Sequence, residues 1–316
     1  MRRMSSGASV VERHGEREPL TQSLAYAAAL QARGVGCLLS GAAVLLVQPG
    51  KQGLIARMQR PRQIDMALID GVVKRMQATM VLVEPAATGT LVDAQGKRHR
   101  WRFDPSDAEA FERMMTELGW RVSKRARTHT KTRVLDLRLG IDAVLAGASS
   151  VARRNVRASM RDGVEYSSCA FGEVSPEVMA DLRALHDQFH SSRPHLRDDW
   201  AFREQLIQQF EASGDLVTAR EEGRLVGAVY VPRHDGVAHY YAVLSSSEAR
   251  SNKVGTGMVY TALQLAMDRG CDLFDFVGVR DERLPDRHER WDGFTAFKER
   301  FGGHDVYLPP SLEREL

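Results

Sequence analysis

Apolar and polar residues alternate along residues 1–132 with periods that predict a mixed α/β unit. Met66, Ile69 and Met76 recur at helical spacing, and two apolar runs on either side of a Pro-Gly turn have the spacing of a hairpin. The first 20 residues lack any period, which predicts a frayed end. The elements predicted here are helices over 24–32, 65–76 and 104–118 and strands over 43–47, 54–58, 80–85 and 120–123.

Residues 133–304 repeat this order of helix, strands, helix and strand. Three apolar runs over 216–244 are joined by tight Gly turns, which predicts an antiparallel meander. A helix that Gly270 ends and the strand after it predict a crossover connection in a mixed sheet. The elements predicted here are helices over 142–161, 176–189, 200–210 and 253–269 and strands over 133–137, 216–220, 225–231, 238–244 and 273–277.

A chain of 316 residues is long enough for two domains of ordinary size. Because both halves have the same order of elements, we predict an α/β fold with mixed sheets in two similar units. The predicted domains are 1–132 with 305–316 and 133–304.

No apolar run approaches the length of a membrane-spanning helix, and no apolar segment follows the N-terminal arginines as it would in a secretory signal. Cys37, Cys169 and Cys271 are far apart and away from histidine, which predicts neither a disulfide framework nor a metal site. These features predict a cytoplasmic protein.

Positive charge is concentrated in residues 121–161, which contain eleven Lys or Arg and two acidic residues, although the whole chain has a net charge of +3. Arg153, Arg157 and Arg161 follow at four-residue spacing and form a stripe on one face of the predicted helix. A basic block on a nearly neutral protein predicts either an anionic partner or a solvated face beside an acidic one.

Two glycine-containing segments carry the first chemical signal. Lys253, Gly255 and Gly257 lie at a predicted strand-to-helix junction, where main-chain N–H groups and the helix N-terminus favour an anion. With the later FKERFGG segment at 297–303, this junction resembles the Gcn5-related (GNAT) acyltransferases, in which it holds the pyrophosphate of acyl-coenzyme A. In that family Arg or Gln stands three residues before the first glycine, where this chain has Asn252. Packing at a helix start explains the glycines equally well.

Three segments in order resemble the Fem family of peptidoglycan-bridge aminoacyltransferases, which are built from two GNAT-like domains. They are Leu135-Asp136-Leu137 with RRNVR at 153–157, FDFVGV at 274–279, and FKERFGG at 297–303. Thr21-Gln22-Ser23 is similar to the family's N-terminal motif. The resemblance implies two tandem GNAT-like domains. It also implies transfer from aminoacyl-tRNA to a cell-wall precursor, with the acceptor in the first domain and the tRNA and catalysis in the second.

The resemblance implies that Lys298 lies near the tRNA 3′ end and the transition state, where an ammonium suits a developing oxyanion or the leaving ribose hydroxyl. Phe297 is then placed to stack on a terminal base. The alternatives are an exposed helix lysine and a core pair of Phe297 with Phe301. The residues predicted to bind tRNA or donor are Phe297, Arg153, Arg154, Arg157, Arg161, Lys253, Gly255 and Gly257.

Five residues are predicted to bind the acceptor. Arg193 and Arg197 fall where the family has an acceptor-binding loop, and arginine forks suit phosphate and carboxylate. Tyr240 and Tyr241 alternate faces on a strand, so only one of them can face a cleft, and Asp275 points away from its two phenylalanine neighbours. Many Fem proteins have a lysine soon after the N-terminal motif, whereas this chain has no lysine before residue 51. The identity of the acceptor is therefore left open.

We predict an aminoacyltransferase whose partners are aminoacyl-tRNA and a peptidoglycan precursor, either a UDP-muropeptide or a lipid-linked one, with no metal and no further cofactor. A lipid-linked acceptor would make the protein peripheral to the inner membrane. Two other hypotheses stay open. One is an N-acyltransferase that uses acyl-coenzyme A, and the other is a non-catalytic tRNA- or RNA-binding protein on the same scaffold.

Overall fold

The computed structural model describes residues 8–40, 43–50, 53–123, 128–161, 163–191, 199–246, 253–284 and 291–315. The chain forms two compact units. Unit 1 comprises Met1–Thr132 and Asp305–Leu316, and unit 2 comprises Arg133–His304. The predicted α/β class with mixed sheets is confirmed.

Unit 1 contains four helices and nine strands in its described residues, together with two short 3-10 turns. The helices are α1 (Val10–Glu16), α2 (Leu24–Gln31), α3 (Met66–Met76) and α4 (Ala108–Glu117). The strands are β1 (Gly36–Ser40), β2 (Ala43–Gly50), β3 (Gly53–Gln59), β4 (Gln63–Asp65), β5 (Ala78–Glu84), β6 (Thr88–Val92), β7 (Arg98–Arg102), β8 (Arg121–Val122) and β17 (Leu312–Glu315).

The large sheet of unit 1 has the strand order β1-β2-β3-β5-β17-β8. The strands β3 and β5 are parallel, and α3 forms the crossover between them. Its carboxylate cap, Asp65, accepts the N–H of Leu68 (3.1 Å) and starts the helix. The buried residues of this helix, Ile69 and Val72 among them, pack into the core of unit 1.

The prediction of a frayed N-terminus is wrong for residues 8–20. Ser9 and Glu12 form a capping box at the start of α1, with N–H donation in both directions at 2.8 and 3.2 Å. Arg13 is buried at 1% exposure. A short polar helix has no apolar period, so the sequence pattern did not reveal it.

Unit 2 contains six helices and most of a second sheet in its described residues. The helices are α5 (Gly140–Gly147), α6 (Ser150–Ser159), α7 (Pro176–Ser191), α8 (Trp200–Gln209), α9 (Val254–Asp268) and α10 (Asp292–Glu299). The strands are β9 (Lys131–Asp136), β10 (Val164–Ala170), β11 (Gly214–Glu221), β12 (Arg224–His234), β13 (Val237–His239), β14 (Ala242–Ser245), β15 (Leu273–Asp275) and β16 (His304–Tyr307).

The second sheet has the order β10-β11-β12-β13-β15-β9-β16, and β14 pairs with β12 off this path. The predicted meander over 216–244 is confirmed, because β12 pairs in an antiparallel way with β11 and with both β13 and β14. The strand β10 adds to the other edge of β11, also antiparallel. The strands β13 and β15 lie parallel to each other, and the chain between them passes through β14 and α9, which confirms the predicted crossover. The core of unit 2 lies between this sheet and α9, where Met258, Val259 and Leu263 are fully buried.

Two predicted elements of unit 2 are each divided. The single helix over 142–161 is wrong, because α5 ends at Gly147 and the hydroxyl of Ser149 caps a new helix, α6, by accepting the N–H of Ala152 (3.1 Å). The single strand over 238–244 is also wrong, because it is interrupted at Tyr240 and Tyr241. The described residues include no helix that is both long and apolar enough to span a bilayer.

Candidate functional site

The sheet of unit 2 divides where β13 gives way to β14. On β13, His239 lies opposite Asp275 of β15 in parallel register. The N–H of Tyr240 still donates to the carbonyl of Asp275 (2.8 Å), whereas that of Tyr241 donates to the carbonyl of Tyr230 on β12 (3.1 Å). From there β14 continues beside β12, off the path that joins β13 to β15. Strand edges that separate in this way leave main-chain groups to which an extended ligand can bond.

Directly after β15, the chain folds around the side chain of Lys298. Its Nζ donates to the carbonyl oxygens of Phe276 (2.7 Å), Val277 (3.2 Å) and Gly278 (2.6 Å). Val277 has φ of +52° and Gly278 has φ of +84°. A positive φ is an outlier for a β-branched residue, so this backbone conformation needs support from its surroundings. We refer to residues 275–278 as the lysine-bound turn.

Lys298 lies on α10 and is only 8% exposed. Burial lowers the pKa of Lys298 to about 8, and the carboxylate of Asp275 acts in the opposite direction. The side chain is therefore an ammonium at neutral pH. An ammonium has three N–H donors, and three carbonyl groups receive them. In this arrangement the ammonium stabilises the turn. Its direct contact with the reacting ester stays a prediction, and that contact would require one of its N–H groups to leave a carbonyl of the turn.

Residues 280–283, shortly after the lysine-bound turn, make contacts that the sequence pattern does not reveal. Asp281 is fully buried, and its carboxylate accepts from the guanidinium of Arg283 at 2.6 and 2.9 Å. The N–H of Arg280 donates to the hydroxyl of Thr295 on α10 (2.9 Å). The RDER run at 280–283 is charged at every position, so no sequence pattern distinguishes the one acidic residue that is buried.

The two predicted tyrosines have different surroundings. Tyr240 belongs to the core, with ring centroids 6.2 Å from Phe274 and 5.7 Å from Phe276, and burial raises the pKa of its hydroxyl. Tyr241 is half-buried. Of the pair, only Tyr241 therefore stays a predicted acceptor contact.

The other predicted acceptor residues are one described carboxylate and two arginines. Asp275 is buried, its Oδ1 accepts the N–H of Val277 (2.8 Å), and its Oδ2 lies 3.9 Å from Nδ1 of His239. Asp275 is the last residue of the parallel pair and the first of the lysine-bound turn, so it lies at the division of the sheet. Arg193 and Arg197 lie outside the described residues.

The start of α9 places its two glycines in different surroundings. Lys253 precedes the helix in a left-handed conformation, with φ of +57°. Gly255 is half-buried, and a Cβ there would lie 3.7 Å from Cζ of Phe297. Gly257 is buried against Tyr166, whose Cζ would lie 2.2 Å from an added Cβ. The structure thus brings Gly255 and Phe297 together, whereas Gly257 packs against a strand.

Phe297 and Phe301 form the pair that their four-residue spacing allows. Their ring centroids are 5.5 Å apart in an edge-to-face arrangement, and Phe301 is 1% exposed. The core-pair alternative is therefore observed for Phe301. Phe297 is half-buried, and its stacking on a base stays a prediction.

Gly257→Ala is expected to lower the free energy of unfolding by about 1–3 kcal/mol, because the ring of Tyr166 has to move. Gly255→Ala is the matched control on the same helix, and it should leave stability unchanged or raise it by about 1 kcal/mol, since alanine favours a helix over glycine. Urea unfolding followed by circular dichroism measures both. Equal losses in the two variants would contradict the packing role of Gly257.

The predicted basic stripe of α6 consists of one structural arginine, Arg153, and two exposed ones, and the neighbouring Arg154 is also exposed. Nη1 of Arg153 donates to carbonyl groups at the end of α5, including that of Ala148. Arg154 and Arg157 are exposed and have no acidic partner among the residues that the structure describes. Arg161 is exposed, and its Nε donates to the carbonyl of Arg157 (3.1 Å). The surface available to a polyanion on α6 is therefore smaller than the sequence predicts.

Several other cations of the block at 121–161 are bound within their own unit. The pairs are Arg121 with Glu313 (3.0 Å), Lys131 with Asp305 (2.9 Å), Arg138 with Asp136 (2.9 Å), and Arg133 with the carbonyl of Gly302 (2.6 Å). The residues at 124–127 lie outside the described residues. Part of the positive charge of the block is thus neutralised or bound locally, and the part that faces solvent includes the exposed arginines of α6.

Comparison with known proteins places this geometry in a recognised fold. Residues 150–292 match the family model of the acetyltransferase (GNAT) domain. The chain is similar to the crystal structure of FemX, with 13% identity and a TM-score of 0.74 over 99% of this chain and 98% of FemX. None of the curated proteins matches the chain in sequence.

Two further solved structures share the fold. One is the C-terminal domain of a protein described as a lysylphosphatidylglycerol synthetase from Agrobacterium fabrum, with 14% identity and a TM-score of 0.62 over 93% of this chain and 88% of that one. The other is L-PGS from Bacillus licheniformis, with 12% identity and a TM-score of 0.56 over 89% and 84%. At these identities the likeness shows the fold, and the predicted Fem-like tandem GNAT architecture is confirmed at that level.

Proposed function

We propose that this chain is an acyltransferase that moves an aminoacyl group from aminoacyl-tRNA to a peptide amine, in the first place an amine of a peptidoglycan precursor. The observation that carries the proposal is the division of the unit 2 sheet at Tyr240 and Tyr241, beside the lysine-bound turn. The fold shared with FemX over 99% of the chain supports the choice of donor.

The proposed reaction needs alignment and charge stabilisation more than activation, because an aminoacyl ester is already reactive. The lone pair of the acceptor amine attacks the ester carbonyl carbon and forms a tetrahedral oxyanion. The bond to the ribose oxygen then breaks, and the proton lost by the amine ends on the ribose hydroxyl. Main-chain groups at the divided sheet can hold the aminoacyl group in an extended conformation, and the lysine-bound turn keeps that edge in place.

The two units have different roles in this proposal. Unit 1, residues 1–132 with 305–316, binds the acceptor, and unit 2, residues 133–304, binds the donor and carries the reacting groups. Arg154 and Arg157 contact tRNA phosphates, since phosphate contacts set affinity without reading sequence. Lys298 positions the turn, and Tyr241 and Asp275 lie on the side of the acceptor amine.

Two alternatives to this proposal stay open, one with a different acceptor and one with a different donor. The name of one structure that shares the fold includes lysylphosphatidylglycerol, which makes a lipid headgroup a second acceptor to test. The half-buried Gly255 lies at the start of α9, where the N–H groups of a helix favour a phosphate, so acyl-coenzyme A is the second donor.

A transfer assay with the purified full-length chain tests the proposal. A mixture of charged tRNAs is offered with a lysine-containing UDP-muropeptide or with phosphatidylglycerol vesicles, and acetyl-coenzyme A replaces tRNA in a parallel reaction. We expect amide formation on the muropeptide. Product only with the lipid would change the acceptor, and product only with acetyl-coenzyme A would change the donor. Binding of tRNA without any product would support the non-catalytic hypothesis.

A further inference from the structure

The exposed side of the small sheet of unit 1 carries a row of arginines that the proposed function does not use. This sheet has the order β4-β6-β7. Trp101 and Leu91 point into the core, so the alternate residues of β7, Arg98, Arg100 and Arg102, are exposed. They lie directly opposite Val92, Thr90 and Thr88 of β6, respectively. We refer to Arg98, Arg100 and Arg102 as the arginine face.

Two acidic side chains near this face, Asp93 and Asp65, are engaged elsewhere. The carboxylate of Asp93 accepts the N–H groups of Gln95 (3.0 Å) and Lys97 (2.9 Å) and binds His99 (2.8 Å). That arrangement lowers the pKa of Asp93, chiefly through the hydrogen bond from His99. The carboxylate of Asp65 caps α3.

Only Arg102 of the arginine face has a carboxylate partner, Glu12, at 2.6 Å, among the residues that the structure describes. Arg98 and Arg100 are exposed, and neither has an acidic partner in the same part of the chain. Two exposed arginines therefore stand at two-residue spacing along one strand, with their Cα atoms about 6.8 Å apart.

The chemistry of this face suits a phosphate backbone better than a membrane surface. Guanidinium forks bind phosphate in a bidentate manner, and a straight row of them can follow successive phosphates of one strand. The hydroxyl of Thr90, opposite Arg100 on β6, is a further hydrogen-bond donor to phosphate. A surface that enters a bilayer interface needs exposed apolar side chains. The large exposed apolar residues of the described chain, such as Leu24, Leu39 and Met76, lie on other elements.

We infer that the arginine face of unit 1 binds the phosphate backbone of RNA, as a contact additional to the arginines of α6. The identification of that RNA as the tRNA of the donor rests on the proposed function. The binding itself is an electrostatic property of this surface and can be measured without transfer.

Arg98→Gln with Arg100→Gln is expected to weaken binding of deacylated tRNA by roughly tenfold near 0.1 M salt. The slope of log affinity against log salt should become shallower by about 1.5–2, because two phosphate contacts are lost. Fluorescence anisotropy with labelled tRNA and the full-length protein, between about 50 and 200 mM salt, measures both quantities. Because the two side chains are exposed, thermal melting should be unchanged.

The matched control is Lys74→Gln with Arg75→Gln, which removes the same charge from exposed positions of α3 in the same unit. The comparison variant is Arg154→Gln with Arg157→Gln in unit 2. If only the unit 2 variant weakens tRNA binding, the inference is overturned and the proposed function stands. If the unmodified protein does not bind tRNA, both are overturned.

Vesicles with and without phosphatidylglycerol form the second arm of the experiment. We expect the arginine-face variant to bind them as the control variant does. Loss of vesicle binding with tRNA binding intact would show that this surface recognises lipid headgroups, and it would overturn the inference.

Discussion

Replacement of Lys298 by methionine is expected to lower the rate of aminoacyl transfer by about 100-fold and the free energy of unfolding by about 3 kcal/mol. Methionine fits the volume but donates no hydrogen bond, so the carbonyls of Phe276, Val277 and Gly278 lose their donor. Without the ammonium, the left-handed conformation of Val277 loses its support. The edge of the divided sheet then moves, and the acyl group is no longer aligned.

Two measurements separate this positioning role from a role in direct contact with substrate. Urea unfolding reports the loss of the turn, and single-turnover transfer reports the loss of alignment. Arg300→Met is the matched control, because it removes a positive charge from an exposed position two residues away. A variant with the wild-type unfolding curve and a 100-fold slower reaction would indicate direct contact with the ester and would contradict the positioning role.

Gly302→Ala is expected to lower the free energy of unfolding by about 3 kcal/mol or more. Among the added methyl groups that we consider in unit 2, this one is expected to be the most destabilising. Gly302 has φ of +79°, and a Cβ there would lie 2.6 Å from the carbonyl oxygen of Gly147, at the end of α5. The clash would be between the added methyl group and backbone atoms of Gly147, and backbone atoms cannot move aside as the end of a side chain can. The carbonyl of Gly302 also accepts from Arg133 (2.6 Å), so a shift here breaks that contact as well.

Gly270→Ala separates the effect of conformation from the effect of contact. Gly270 ends α9 with φ of +74°, and nothing lies within 4 Å of an added Cβ. We expect the free energy of unfolding of this control to fall by only about 1 kcal/mol, the usual cost of an alanine in the left-handed conformation. Chemical unfolding of both variants gives the comparison. Similar losses at the two positions would show that conformation alone accounts for the effect at Gly302.

These two predictions change the interpretation of the FKERFGG segment. Phe301 packs in the core, Gly302 contacts the end of α5, and Lys298 holds the turn after β15. Three of its residues thus connect parts of unit 2 that are distant in sequence. The match of this segment to the Fem pattern is therefore explained by packing as well as by chemistry. Lys298 contributes to both, because it holds the turn and is proposed to act in the reaction through it.

The catalytic and binding assignments could be predicted only as far as residue type and spacing allow. Arg153 and Arg157 have the same chemistry and lie four residues apart, yet one caps a helix end and the other faces solvent. The difference arises from the break at Ser149, which turns one predicted helix into two. The arginine face was not predicted, because β7 lacks an apolar period that a search for strands detects.

The sequence by itself determined most of the long helices and strands, the α/β class and the crossover through α9. It did so because main-chain hydrogen bonding in these elements is local, or is joined by short turns, and leaves a periodic trace in the apolar residues. Only the tertiary structure decided where the strand before α9 divides and which groups surround Lys298. Those carbonyls lie 20–22 residues away along the chain. Their approach to Lys298 is set by tertiary packing, which leaves no period in the sequence.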